Sequence, residues 1–273
     1  MSKIRKYLFL SLFLLFLALI NCEPVVPQQS SSVTKKLILD DHNYEELVGN
    51  CQVLPMRQGQ VDRLGNPVLF LGSGDRLLVE FDLLEDEFEN LTARIVHCNK
   101  NWSQSRLRDM EFLASLNDYR ITEFNNSVNT IQPYVNYQFT LPSPKISGNY
   151  ILVINRRNDE NDLLITRKFI VVESLVQVEQ NVRLPTDISK RDSHHQIEFS
   201  INYDGLFVNA PATEITPIIL QNHDWKAGKL ITRPTSLQAN ESIMKYELQD
   251  ESAVFPGWND YRFIDLRTLD VSG

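Results

Sequence analysis

The chain has 273 residues, with 27 basic and 35 acidic side chains and a net charge of −8. A surface that acidic repels phosphate backbones and no Lys/Arg stripe offsets it, which argues against nucleic acid as a partner. The length accommodates one large domain or two ordinary ones.

Lys3, Arg5 and Lys6 precede an uncharged apolar run from Tyr7 to Ile20. That is the layout of a secretory signal over residues 1–21, and the run is short for a bilayer span, which takes roughly 20 residues. It ends in Leu19-Ile20-Asn21-Cys22, similar to a bacterial lipobox except that Asn21 stands where Gly, Ala or Ser is usual. Cys22 is therefore the expected lipid-attachment residue, with ordinary cleavage as the alternative; each buried CH₂ of an acyl chain adds about 0.8 kcal/mol of membrane affinity. The signal holds three of the 27 bases and none of the 35 acids, so the chain without it carries −11. Residues 22–36, rich in Pro, Gln and Ser, read as a flexible tether.

From Leu37 the pattern is strand-like. Leu37-Ile38-Leu39 is short and apolar, and Pro67 to Leu71 ends at the turn cluster Gly72-Ser73-Gly74-Asp75. Arg76 to Phe81 follows at once, so a hairpin or tight corner is expected. Leu91 to Cys98 is the next strand, and it breaks into the polar turn Asn99-Lys100-Asn101-Trp102-Ser103-Gln104-Ser105. A large apolar side chain inside such a turn is wasted unless it folds back onto a core. Arg106 to Leu116 has helical composition and is the one predicted helix. Tyr134 to Leu141 alternates with period two. Tyr150 to Ile154 and Leu163 to Val172 form a hairpin across the charged turn Asn155–Asp162.

Short strands at such spacing indicate an all-β fold of the immunoglobulin-like β-sandwich type, with a first domain over residues 37–173. The series then restarts at Val176 to Val178, Ile197 to Tyr203, Glu214 to Gln221, Met244 to Leu248 and Tyr261 to Leu266. A second sandwich over residues 174–273 follows. It ends abruptly after Val271-Ser272-Gly273, as a truncated chain would. Within it, Gln221-Asn222-His223-Asp224-Trp225 repeats the logic of the first corner: a strand meets a polar turn carrying one Trp. Packing is the favoured role for both corners, and an exposed partner hot spot is the other.

Chemistry-bearing patterns are sparse. Cys51 and Cys98 are a possible disulfide in an oxidising compartment, or two separate buried thiols. The acids Asp82, Glu85, Asp86, Glu87 and Glu89 read as a solvated loop, since catalytic carboxyls need burial or a partner to tune them. His194-His195 would point to opposite faces of a strand, with no acid or Cys cluster to complete a metal shell. No nucleophile elbow, Walker loop or dinucleotide fingerprint occurs. No catalytic residue, metal site or cofactor is expected.

Several spaced stretches together resemble the plug protein family of the bacterial type IX secretion system. They are Leu71 to Leu77 with Glu80-Phe81-Asp82; His97-Cys98-Asn99 with Trp102 and Ser105; Ser147-Gly148-Asn149-Tyr150; and Arg167 to Glu173. His195 to Phe199, Gln221-Asn222 with Trp225, and Tyr261 to Asp265 continue the series. Lys168 departs from it, standing where a second Arg is expected, and Trp258-Asn259-Asp260 fits the final motif only loosely. The resemblance implies a non-enzymatic periplasmic protein that occludes the outer-membrane translocon barrel. That barrel is then its protein partner, and neither a cofactor nor a small-molecule substrate is implied. A lipid on Cys22 would hold it near the outer membrane and would be its one membrane contact. The competing readings are a surface lipoprotein that grips glycan through Trp102 or Trp225, and the non-catalytic front of a longer hydrolase.

Overall fold

A computed structural model describes residues 35–157, 159–247 and 250–257. The signal, Cys22, most of the tether, Trp258-Asn259-Asp260 and the predicted strand Tyr261 to Leu266 lie outside the described residues.

The first strand series comprises β1 (His42–Asn43), β2 (Val48–Arg57), β3 (Gln60–Val61), β4 (Val68–Phe70), β5 (Arg76–Leu83) and β6 (Leu91–Cys98). It continues through β7 (Tyr119–Ile121), β8 (Glu123–Asn126), β9 (Val135–Leu141), β10 (Gly148–Arg156) and β11 (Leu163–Val172). These strands form two facing sheets. One runs β1-β11-β10-β6-β7, with β4 added parallel to β11; the other runs β3-β2-β5-β9-β8. The Gly72–Asp75 turn is the tight corner, carrying the chain from β4 in one sheet to β5 in the other. Gly72 and Gly74 take φ values of +77° and +79°, a region that L side chains avoid.

Alternation decides what each strand buries. Leu77, Val79, Phe81 and Leu83 of β5 point inward, as do Val135, Tyr137, Phe139 and Leu141 of β9. Leu91, Ala93 and Ile95 of β6 and Tyr150, Leu152 and Ile154 of β10 meet them from the other sheet. Two directly opposed aromatic pairs brace this core: Phe81 on Tyr137 and Tyr150 on Phe169, each with ring centroids 5.1 Å apart.

The sheet carrying β10 is buried on its outer face too. Val96, Cys98, Ile151, Val153 and Leu163 form a second apolar cluster there, covered by Leu37, Leu39, Tyr44 and Trp102. Leu37-Ile38-Leu39 is thus a cover strip and not the expected strand. Tyr44 pins it, accepting a hydrogen bond from the Ile38 N–H at 2.7 Å and donating to the Lys36 carbonyl at 3.1 Å.

At one end of this sandwich, Arg156 is buried among the carboxylates of Glu45, Glu85 and Glu89. Burial opposes its charge, but the hydrogen bonds it donates to Glu45 and Glu89 outweigh that and raise its pKa. Lys35 joins the same network through Glu45 and Asp162, so the first described residue is fixed at this end. The acidic stretch after β5 is therefore only partly a solvated loop: Glu85 and Glu89 hold Arg156, while Asp86 and Glu87 are exposed.

The second series forms β12 (Gln177–Arg183), β13 (His194–Asn202), β14 (Ile218–Ile219), β15 (Lys229–Leu230), β16 (Ser236–Gln238), β17 (Ile243–Tyr246) and β18 (Val254–Pro256). The main sheet runs β12-β13-β17-β16, with β18 also on β13, and β14-β15 is a small separate hairpin. Phe199, Ile201, Tyr203, Ile231, Met244 and Tyr246 form its core, and the opposed rings of Phe199 and Tyr246 stack at 4.4 Å. The protein is all-β with sandwich packing. Among the described residues helix is confined to single turns, including α1 (Asp109–Phe112) and α2 (Pro211–Glu214), and the predicted helix 106–116 shrinks to α1.

Leu152→Ala, in the centre of the first core, is expected to lower unfolding stability by ~2–5 kcal/mol in urea titration. Val178→Ala on the exposed β12 is expected to stay within ~0.5 kcal/mol.

Candidate functional site

The first tryptophan corner is a tight polar turn at the end of β6. The Asn99 N–H donates to the Ser103 carbonyl at 2.8 Å, the Trp102 N–H to the Asn99 carbonyl at 2.9 Å, and the Ser105 N–H to the His97 carbonyl at 3.0 Å. Trp102 itself sits at φ +62°, a left-handed conformation that costs a bulky residue roughly 1–2 kcal/mol. Side-chain bonds hold it there: Asn99 Nδ2 donates to Ser103 Oγ at 3.0 Å, and Asn149 Nδ2 donates to the Asn99 carbonyl at 3.2 Å. The strained turn folds the indole back over the outer apolar cluster of the β10 sheet.

Lys168, opposite Ile151 on the same face, places its ammonium 4.7 Å from the centre of the Trp102 ring. Asp40 fixes that ammonium at 2.7 Å, and this hydrogen bond lowers the Asp40 pKa. Neither Lys168 nor Asp40 was singled out as a site residue from sequence. The available signal was the departure from Arg at position 168.

The second corner arrives from β14. Asn222 and His223 both adopt positive φ, and the Asp224 N–H closes the turn on the Gln221 carbonyl at 3.0 Å. Gln221 Nε2 donates to the Pro256 carbonyl at 2.6 Å, tying the corner to β18. Trp225 then meets Trp102 edge to face, with centroids 5.5 Å apart and planes at 80°. The two corners, 123 positions apart in sequence, are thus brought into one contact joining the two strand series. A cavity of about 170 Å³ lies beside it, lined among others by Asp41, Lys168, Leu220, His223 and Trp225.

The other expected site residues fall elsewhere. His97 points to the sandwich interior, against Tyr150 and Phe112 at 5.0 and 5.7 Å. A Cβ on Gly148 would stand 2.6 Å from His97 Nε2, so only glycine allows this approach. His97 Nδ1 is buried without a hydrogen-bond partner, and burial lowers the ring's pKa. The possible Cys51–Cys98 disulfide is not formed; both are free thiols. They belong to different sheets, and Cys98 joins the outer cluster while Cys51 packs against the inner core. Burial pushes both thiols up to about 11, which suits inert apolar packing. His194 and His195 open β13, where His194 Nδ1 lies 2.7 Å from Ser193 Oγ. Among the described residues no group of three or more His, Cys, Asp or Glu side chains could hold a metal ion.

What the junction does chemically is hold two bodies together. Its cation is engaged by Asp40 and an indole, and its two aromatic rings meet edge to face. Fold and site together define an all-β protein with a packed junction. Residues 50–173 match the family model described as type 9 secretion system plug protein 1st domain. That stretch is similar to the first domain of the type IX secretion system plug family, as the spaced motifs led one to expect. It is also similar to a solved hypothetical protein from Parabacteroides merdae, at 26% identity and a TM-score of 0.75. That match covers 85% of this chain and 59% of the other, so this chain spans well under two thirds of that protein. No curated protein matches.

Trp225→Ala is expected to weaken the junction by ~0.5–1.5 kcal/mol for the lost aromatic pair and to red-shift Trp102 fluorescence; an unshifted spectrum would contradict the contact. For His97, the folded state binds fewer protons than the unfolded chain below the ordinary imidazole value near 6.5. Stability is therefore expected to fall as pH drops through that value, then level off once the folded-state ring also protonates. His97→Phe should flatten this part of the pH profile of urea unfolding.

Proposed function

We propose that this protein is a non-enzymatic periplasmic plug that occludes the outer-membrane translocon of the type IX secretion system. The observation that carries the reading is the match of residues 50–173 to the plug first domain. The proposal includes export by the signal at 1–21, a lipid on Cys22 and residence in the periplasm against the outer membrane. It also includes a tether over 22–36 and two sandwich domains, 37–173 and 174–273. The partner is the translocon barrel, and no nucleic acid or small-molecule substrate is involved.

The physics supports this reading in three ways. A pore blocker must resist deformation, and close-packed sandwiches have low compressibility. The first sandwich is packed on both faces of its β10 sheet. The ionisable groups at the junction are held in structural pairs, unlike a catalytic acid and base poised in a cleft. Each junction tryptophan is half-buried, and the edge-to-face contact together with Lys168 over Trp102 occupies ring surface that a glycan-stacking platform needs.

Tagged protein expressed with its own leader is expected to recover the translocon barrel from detergent-solubilised outer membrane. Deleting its gene is expected to leave the outer membrane permeable to small probes while secretion is idle. Unchanged permeability together with a barrel isolated free of this protein would defeat the reading.

A further inference from the structure

The largest uncovered apolar strand is β12, where Val178 and Val182 are 56% and 57% exposed. It belongs to the series whose last residues lie outside the described structure, so its open face identifies no occupant. Several apolar side chains of the first sandwich are exposed, among them Leu64, Met110 and Ile131, and two of the exposed rings stack as a pair. Phe88, in the β5–β6 loop, stacks on Phe124 of β8 with centroids 4.8 Å apart, while remaining 54% and 38% exposed. Stacked rings left in water at the edge of a complete core are the kind of surface that marks protein–protein contact.

Three further observations define what fits there. Asp86 and Glu87 directly precede Phe88, and Glu123 directly precedes Phe124; all three are exposed and form no ion pair among the described residues. The aromatic pair is therefore rimmed by free negative charge. Second, β8 pairs only with β9 and is exposed along its whole length, leaving a free strand edge beside Phe124. Third, the position is distinctive. Glu89, next to Phe88, binds Arg156, whose network holds Lys35. The patch thus shares its end of the sandwich with the point where the N-terminal segment arrives. The tryptophan junction lies at the other end of β6, roughly 25 Å away at ~3.3 Å per residue.

We propose that the Phe88–Phe124 tip, with its rim of Asp86, Glu87 and Glu123, is the surface that docks on the translocon. The element it receives is an extended periplasmic loop or strand of the barrel bearing Arg or Lys beside apolar residues. The proposal rests on the plug reading. The free β8 edge supplies backbone pairing, the rings supply the apolar anchor, and the carboxylates select a basic partner and speed its approach. The same carboxylates disfavour an anionic lipid surface, which draws basic and not acidic segments.

The test uses the full chain with its own leader, comparing wild type, Phe88→Ser/Phe124→Ser and the charge reversal Asp86→Lys/Glu87→Lys/Glu123→Lys. Recovery of the barrel from solubilised outer membrane is read at low and high salt, alongside urea unfolding of each variant. Both variants are expected to bind the barrel roughly thirtyfold more weakly than wild type, as loss of a hot spot would give. Wild-type recovery is expected to fall with salt. If wild type recovers the barrel and folded variants do so equally, this surface is wrong while the plug reading stands. If wild type recovers none, both fall. Should the Phe variant unfold, the charge reversal, confined to exposed side chains, decides between them. Loss of binding to phosphatidylethanolamine–phosphatidylglycerol vesicles by the Phe variant, with barrel recovery intact, would make the tip a lipid contact and overturn the proposal.

Discussion

One sheet of this molecule is apolar on both faces, and the rest of the chain is arranged to keep water off it. In β10, Tyr150, Leu152 and Ile154 serve the sandwich interior while Ile151 and Val153 face outward, and all five are buried. The opposing sheet covers only the inner face. The outer one is covered by the Leu37–Leu39 strip, by Tyr44 and by Trp102 turned back over it. At ~25 cal/mol per Å², leaving such a face wet would forfeit several kcal/mol, a large share of a domain's net stability. That balance explains why a bulky residue is held at positive φ in the first corner. The local cost at Trp102 is small against the surface its indole removes from water.

The same demand generates the junction. An indole lying over an outer sheet face leaves an edge exposed, and Trp225 meets that edge. Lys168 then completes the site from beneath, its charge neutralised by Asp40 within the cover strip. Cover strip, corner, cation and second corner are consecutive consequences of one apolar surface, which is why residues far apart in the chain converge.

Much of the strand layout was legible because alternation and turn chemistry are local. β5, β6, β9, β10 and β11 fall where period two and the Gly-Ser-Gly-Asp corner place them. β2 was not read from the sequence: Gly49, Asn50 and Pro55 interrupt Val48–Arg57, and its pairing with β5 overrides those weak propensities. β7 and β8 are polar edge strands and carry little apolar signal. The predicted helix failed for a packing reason. Only the adjacent Phe112 and Leu113 are buried, Leu107, Met110 and Leu116 are exposed, and the chain turns extended at Leu113 once Glu111 has capped the Arg108 N–H at 2.7 Å. At the site, the two tryptophan turns could be read as anchors, but their meeting is a long-range fact that no spacing encodes. The role of Glu85 and Glu89 was hidden for the same reason. Their partner Arg156 lies at the end of β10, 67 positions beyond Glu89, and a charge run by itself reads as solvated.

Stiffness and adaptability are assigned to different parts of the molecule. The first sandwich is held by a continuous core and by opposed aromatic pairs at its centre. Changing its shape would open cavities at a cost of several kcal/mol each. The aromatic contact between the tryptophan corners is one edge-to-face pair, worth about 0.5–1.5 kcal/mol, since the Lys168 cation–π contact lies within the first sandwich. A contact worth about 1 kcal/mol shifts an equilibrium by only about fivefold. Parting of the two corners would therefore leave both cores intact, because neither core cluster includes Trp225 and Trp102 only overlies the outer one.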